Sequence, residues 1–440
     1  MKLNRISIKN FRNIKYLDMS LDERFTVIIA KNGEGKSTIL DAITVLLGPF
    51  AGSFDYGKNP GINEKDVRLV IPEKGYENEA QYPSELEAEG YWEEKVHTWS
   101  RARNSPKGRT TMKEATGLSR YGKQLQDAIR TNGEQKLPLV AYYGTGRLWQ
   151  SHKNQAKRKA QEESRTMGYE DCLSSYSNYK QLQQWMHQAT LADLQNQRNN
   201  LPSKRNFSDQ LYVICQTVDR FLEAEGFTSF HYSVEIGELA VHHTTSGVLP
   251  VSSLSDGIRS MVALVADIAF RCARLNPFLG KNATTDTEGI VLIDELDMHL
   301  HPSWQQLVLG QLTEAFPKLQ FIVTTHSPLL VTAVKHQSIR ILKWAEDEVT
   351  PSIPPFSEGA TSQYALENIF DVTSRPEGLE IVKKLNKYQK LLSENRWNEA
   401  EAVQLWEDLL GWGSEWEEEL QRLRMDVELK EYELNHEKNL

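Results

Sequence analysis

The stretch AKNGEGKSTILDAI, Ala30–Ile43, follows the apolar run FTVII (Phe25–Ile29), and its reading decides the fold. In the pattern G-x-x-x-x-G-K-[ST], consecutive backbone N–H groups face one concavity. A lysine reaches the β- and γ-phosphates of a nucleotide, and a hydroxyl ligates Mg²⁺. Asn32, Gly33, Glu34, Gly35, Lys36, Ser37 and Thr38 fit that scheme. The positive end of a helix predicted to begin near Ser37 adds to the attraction for phosphate. Ala30 stands where the pattern has its first glycine; it is the smallest side chain that still carries a Cβ, so the turn is constrained without being abolished. Strand, glycine loop and helix in this order predict an α/β fold with ATP and Mg²⁺ as ligands.

Working outward, LNRISIKNFRNI alternates apolar and polar residues at period two, whereas LPLVAYYG (Leu137–Gly144), GIVLIDEL (Gly289–Leu296) and LQFIVTTH (Leu319–His326) are short apolar runs that suit buried parallel strands. From Arg147 to about Glu225 the chain turns polar, with apolar residues at helical spacing in YKQLQQWMHQATLADLQ, which predicts inserted helices. FHYSVEIGELAVHH reads as a hairpin and GIRSMVALVADIAFRCARL as a helix. The proline-rich TPSIPPFSEG (Thr350–Gly359) marks a linker, and helices are expected from there to the end. Cys172, Cys215 and Cys272 lie far apart with no C-x-x-C pair, which speaks against a zinc ribbon and for reduced thiols. No apolar run is long enough to cross a bilayer and the first residues carry no signal-peptide core, so the expectation is a cytoplasmic protein with no membrane contact.

A phosphate cradle binds nucleotide but does not hydrolyse it without a carboxylate for the metal and a group to orient water. VLIDEL offers both: Asp294 for Mg²⁺ and Glu295 as general base. His326, closing the strand QFIVTTH, would sit beside the same pocket and sense the terminal phosphate or hold the water. LSDGIRS (Leu254–Ser260) precedes an apolar helix, where Ser255 and the N–H of Gly257 could meet an anion. A Ser-Asp helix cap explains the same letters. Charge is uneven: between Arg101 and Glu170 stand 15 Lys/Arg against 6 Asp/Glu, and from Glu394 to Leu440 stand 14 acidic residues against 5 basic ones. The basic middle, with Lys157, Arg158 and Lys159, could attract nucleic acid or simply be a solvated helical face.

Taken together, KNGEGKST, LSDG, LIDE and TTH, with IKNFRNI near the start, resemble the ABC-type ATPase heads of RecF, Rad50 and SMC proteins. The resemblance implies a P-loop NTPase with a mixed β-sheet lobe, an inserted helical subdomain and a helical C-terminal region. It also implies a dimer with ATP between two copies, in which Ser255 and Gly257 complete the opposite site. Arg12 and Asn13 would touch nucleotide, and DMHLHP (297–302) would be the D-loop; a metal site on His299 and His301 is the other reading. Gln150 is the candidate Q-loop glutamine.

LPLVAYYGTGRLW, YEDCLSSYSNYKQLQQW and YALENIFDVTSRPEGLEIVKKL look similar, over most of the chain, to the PtuA family of Septu anti-phage ATPases, which also occur with some retrons. That likeness implies a partner, a PtuB-like HNH endonuclease. After His326 no D-x-D pair follows, so the chain itself is not expected to cut nucleic acid. The expected layout is an ATPase domain over 1–345, with the insertion at about 147–228 and the signature and Walker B half at 246–345. A helical partner-binding region would occupy 346–440. There Trp397, Trp406, Trp412 and Trp416 stand among carboxylates, either as a docking surface or as the core of a helical subdomain. The alternative function is a RecF- or SMC-like repair or recombination ATPase acting directly on DNA.

Overall fold

The structure is a computed structural model that describes residues 1–72, 77–146, 164–175, 179–199, 207–345, 348–414 and 416–437. The chain divides into two compact units, Met1–Ala365 and Leu366–Leu440. In the first unit the strands are β1 (Lys2–Phe11), β2 (Ile14–Ser20), β3 (Phe25–Ile29), β4 (Leu69–Val70), β5 (Glu79–Ala80), β6 (Ser84–Trp92), β7 (Lys95–Arg103), β8 (Leu139–Tyr143), β9 (Phe227–Ser233), β10 (Glu238–His243), β11 (Gly247–Pro250), β12 (Gly289–Ile293), β13 (Leu319–Thr324), β14 (Ile339–Ala345) and β15 (Glu348–Ser352). The helices that position the site are α1 (Lys36–Ala51), α2 (Thr116–Thr131), α3 (Tyr179–Asn199), α4 (Phe207–Leu222), α5 (Asp256–Leu275), α6 (Ala283–Asp286) and α7 (Pro302–Ala315).

Ten strands form one mixed sheet in the order β7-β6-β1-β2-β15-β14-β3-β13-β12-β8. One half, β8-β12-β13-β3-β14, is parallel throughout. Its runs LVAYY, GIVLI, LQFIVT and FTVII are buried at every residue, as strands covered on both faces must be. The other half, β2-β1-β6-β7, is antiparallel, and β1 alternates over Arg5–Lys9, with Ile6 and Ile8 buried and Arg5 and Lys9 exposed; a register shift between Leu3 and Arg5 and the positive φ of Asn10 interrupt the period, and Leu3 and Phe11 are buried too. This is the expected mixed α/β architecture. In a parallel sheet ligands collect beyond the carboxyl ends of the strands. The loops after β3, β12 and β13 all emerge at that edge.

Two buried arginines tie the helices to the sheet. Among the described residues no carboxylate pairs with Arg101 on β7; its Nη1 donates to Val45 O (3.0 Å), Asn59 Oδ1 (2.8 Å) and Pro60 O (2.7 Å), and burial pushes its pKa down to about 10. On α5, Arg271 Nε donates to Asp267 Oδ2 (2.7 Å), which also accepts from Tyr143 Oη at 2.7 Å. The two charges are paired as burial demands.

Of the expected insertion, 147–163 lies outside the described residues, which takes in Gln150, Lys157, Arg158 and Lys159. The described remainder contains α3 and α4, and α4 packs on α5. The division between units falls after Ala365, beyond the expected 345. The reason is that β15 completes a hairpin within the main sheet and the following segment folds back: Ser357 Oγ donates to Val334 O at 2.5 Å and Gly359 N to Thr332 O at 2.9 Å.

The second unit is helical, with its core built from Leu385, Tyr388, Leu391, Leu392, Trp397, Ala402, Leu409, Leu420 and Leu423. Its tryptophans divide between the two readings. Trp397 is buried and Trp406 stacks on Tyr388 with ring centroids 4.9 Å apart, whereas Trp416 is 90% exposed and Trp412 40%. Among the described residues no helix is long and apolar enough to cross a membrane. The three cysteines are free thiols.

Candidate nucleotide-binding site

The loop between β3 and α1 turns on two glycines in the left-handed region, Gly33 at φ 80° and Gly35 at φ 94°. A Cβ on Gly35 would stand 3.2 Å from Asn13 Oδ1, so close approach as well as φ favours glycine there. Lys36 folds back over the loop, its Nζ donating to Ala30 O (2.8 Å) and Lys31 O (3.2 Å). Burial lowers the Lys36 pKa, against the pull of Glu295 and Asp294. An open cavity of about 380 Å³ lies over the loop, lined by Arg12, Asn13, Asn32, Gly33, Gly35, Lys36, Ser37, Thr38, Glu295 and His326. Glu34 is the one loop residue of the expected set that does not line it; its Oε2 accepts from Lys31 N at 2.7 Å and closes the turn.

Across the cavity, Asp294 and Glu295 follow β12. Ser37 Oγ donates to Asp294 Oδ2 at 2.7 Å, joining residues 257 positions apart. The other carboxylate oxygen, Oδ1, accepts from Thr324 Oγ1 at 2.6 Å, and the same hydroxyl accepts from Glu295 N at 2.8 Å. Thr324 is fully buried and holds both acids at once. Glu295 has φ 47°, a left-handed conformation that costs a non-glycine residue about 1 kcal/mol, and its side chain is on the cavity wall. His326 stands two residues past β13, its backbone N donating to Asp297 Oδ1 at 3.3 Å. Asp297 also accepts from Thr325 Oγ1 at 2.6 Å.

Arg12 and Asn13 form the two-residue turn between β1 and β2 and reach the opposite wall. Asn13 Nδ2 donates to Gly33 O at 3.0 Å and Thr38 Oγ1 donates to Asn13 Oδ1 at 3.3 Å. Arg12 is forked between Asp66 (Nε to Oδ1, 2.9 Å) and Asp41, which also accepts a hydrogen bond from Tyr142. Burial works against the Arg12 charge, but the two carboxylates outweigh it and its pKa rises. Burial pushes Asp41 up, and Arg12 pulls the other way. Sequence reasoning missed Thr324 and Asp41, and named Asp297 only as the first residue of the D-loop stretch. TTH contains Thr324, whereas nothing in the sequence sets Asp41 apart from other helix acids.

Ser255 and Gly257 are not brought to this cavity. Ser255 is exposed at the N-cap of α5 and its side chain makes no capping hydrogen bond, so the letters do not work as a Ser-Asp cap. A Cβ on Gly257 would come within 2.3 Å of His299 O, so the start of α5 lies hard against the 297–300 loop. His301 caps α7, its Nδ1 accepting from Ser303 N (3.4 Å). Among the described residues no three His, Cys, Asp or Glu side chains cluster as metal ligands, which leaves the His299/His301 metal reading without a third donor.

A family profile described as "AAA domain" matches residues 5–211, and a second, described as "AAA domain, putative AbiEii toxin, Type IV TA system", matches 144–332. The protein named "Retron Ec83 probable ATPase" from Escherichia coli is 25% identical over an alignment covering 100% of this chain and 89% of that one. "Retron Vc95 probable ATPase" from Vibrio cholerae is 25% identical, covering 89% of this chain and 84% of its own. The Septu protein PtuA of Bacillus mycoides is 37% identical, but over only 24% of this chain and 14% of that protein. The Septu likeness expected over most of the chain is therefore partial in that match, and the near full-length likeness is to the retron proteins. Among solved structures, the SMC head bound to the C-winged helix domain of ScpA aligns with 80% of this chain and 98% of its own at 15% identity and a TM-score of 0.48. With AAA domain matches that together run from residue 5 to residue 332, laid over a phosphate loop facing its acidic strand end, the chain is similar to P-loop ATPases of the AAA kind.

Proposed function

We propose that the chain is the ATP-binding and hydrolysing subunit of an anti-phage defence complex, working as a nucleotide-sandwiched homodimer that controls an HNH nuclease of the PtuB kind. The observation that carries the ATPase part is the 2.7 Å contact between Ser37 Oγ and Asp294 Oδ2. A hydroxyl and a carboxylate converge beside the phosphate loop, an all-oxygen donor pair that suits a hard cation such as Mg²⁺. When bound there, the ion would neutralise charge on the terminal phosphates. Lys36 exchanges its carbonyl partners for the β- and γ-phosphates, and an anion beside it offsets the effect of burial on its charge. Glu295 accepts the proton of the attacking water, and His326, at the end of the adjacent strand, orients that water. Asn32, Gly33, Glu34, Gly35 and Thr38 supply the loop, and Arg12 and Asn13 the far wall.

The exposed, uncapped Ser255 and the amide of Gly257 at the start of α5 suit a donor pair offered to the terminal phosphate of a second copy. Affinity for ATP is then linked to dimer geometry, and the nucleotide works as a switch. Likeness to the retron ATPases and, over a shorter span, to Septu PtuA supports the defence setting. The exposed Trp412 and Trp416 in the acidic second unit suit a docking region for the nuclease. The decisive variant is Glu295→Gln. It keeps ATP affinity within a few-fold and loses turnover by about 100-fold or more, the span of a general base; turnover at the wild-type rate refutes the assignment. Purification from the native host recovers an HNH-bearing companion, and its repeated absence removes the nuclease part.

One observation favours the second reading, an ATPase acting directly on DNA. Lys107, Arg109, Lys113, Arg120 and Lys123 are all exposed and make no ion pair with another described residue. Salt-dependent DNA binding by the isolated chain separates the two readings.

A further inference from the structure

The phosphate loop is held from outside by a residue far along the chain. β14 runs parallel to β3 in the register Ile339↔Val27, Arg340↔Ile28, Ile341↔Ile29. β3 ends at Ile29, where the loop begins, but β14 continues to Ala345. Its overhang therefore lies alongside the loop, and Trp344 Nε1 donates to Glu34 O at 3.1 Å. In a trans peptide the carbonyl and the following N–H point in opposite directions. Holding Glu34 O against β14 therefore turns the N–H of Gly35 the other way, towards the cavity that Gly35 lines. The hold matters because Gly33 and Gly35 make this the most freely rotating part of the loop. Asn13 Nδ2 secures the preceding carbonyl, Gly33 O, from the other flank.

We propose that Trp344 is a positioning residue for phosphate binding: its indole N–H fixes the Glu34–Gly35 peptide with the amide facing the nucleotide's phosphates. The inference rests on the ATP-binding reading above and adds to it a residue outside every nucleotide motif of the chain. It also makes the β14–β15 hairpin part of the binding apparatus, and it makes Trp344 a reporter of occupancy, since phosphates drawn to the Gly35 amide change the polarisation of the carbonyl its indole meets.

Trp344→Phe keeps the ring and removes the donor. Calorimetric affinity for Mg·ATP falls about 3- to 10-fold, the factor carried by one neutral hydrogen bond. KM rises by the same factor while kcat stays within about twofold and nucleotide-free melting is unchanged. A tryptophan that only packs would instead lower melting or the active fraction and leave KM alone. ATP also alters a component of the wild-type tryptophan fluorescence that is missing from the variant. Equal affinity and an equal fluorescence change in both proteins overturn the proposal while leaving the nucleotide reading intact; a wild-type chain that binds no ATP overturns the nucleotide reading itself. Should Trp344→Phe not fold, fluorinated tryptophan at position 344 carries the test by fluorine NMR: a resonance that moves with ATP supports the proposal, and one that stays put overturns it.

Discussion

Thr324→Val tests how the acidic end of the site is held. The substitution keeps the branched shape but replaces the hydroxyl by a methyl that cannot stand 2.6 Å from Asp294 Oδ1, so the carboxylate must draw back. Two interactions vanish: the 2.6 Å donation to Asp294 Oδ1 and the acceptance from Glu295 N at 2.8 Å. A hydrogen bond to a charged group contributes about 1.5–3 kcal/mol, and an amide left without an acceptor costs about 1–3 kcal/mol. The two share one atom and are not additive, so a loss of about 2–4 kcal/mol is expected from denaturant midpoints. Activity should fall further than stability alone accounts for. Asp294 then keeps its contact with Ser37 but loses the one from Thr324, and Glu295, already at a positive φ, loses the Thr324 acceptor of its amide. The assay is ATP turnover beside equilibrium unfolding, with Thr324→Ser as the control that restores the hydroxyl. Turnover reduced at least tenfold in Val and largely recovered in Ser is the expected result. Wild-type behaviour in Val, or equal damage in both variants, refutes the reasoning.

Further consequences can be checked in the same preparations. Gly257→Ala puts a Cβ within 2.3 Å of His299 O, so the 297–300 loop must shift by several tenths of an ångström; overpacking of this kind costs about 1–3 kcal/mol in unfolding experiments. Because Asp297 in that loop holds Thr325 and the His326 amide, turnover should drop too, and an unchanged melting curve with full activity would show that the loop is not packed as described. In the second unit, the hydrogen bond from Arg375 (Nη2 to Glu417 Oε1, 2.7 Å) lowers the pKa of Glu417 from its ordinary 4.5. A carboxylate with a depressed folded-state pKa adds stability above its unfolded value and loses it as pH falls through the folded one. Melting should therefore weaken as pH drops below about 4.5, and Glu417→Gln should flatten that part of the pH profile; a profile the substitution leaves unaltered counts against the pair.

Much of this site is written in consecutive residues. The phosphate loop is a local object: Gly33, Gly35, Lys36 and Ser37 act through backbone conformation and side chains a few positions apart, so their spacing alone announces them. Buried strands are equally plain, because a strand covered on both faces must be apolar at every residue, as FTVII and GIVLI are. Asp294 and His326 were readable as the ends of such strands. By contrast, Asp41 carries no mark in the sequence that separates it from any helix-surface acid, and its pairing with Arg12 and Tyr142 depends on which strands lie beside α1.

Sequence by itself settled that the chain makes a parallel sheet with a phosphate cradle and an acidic strand end, since those depend on local conformation and on apolar runs. Only the tertiary structure decided that Ser37 meets Asp294, that Thr324 holds both acids, and that Trp344 grips the loop from an overhanging strand. It also carried the boundary of the first unit past the β14–β15 hairpin to Ala365. The physical reason is that strand order and register set these contacts, and both are fixed by packing between segments hundreds of residues apart, which no local pattern encodes.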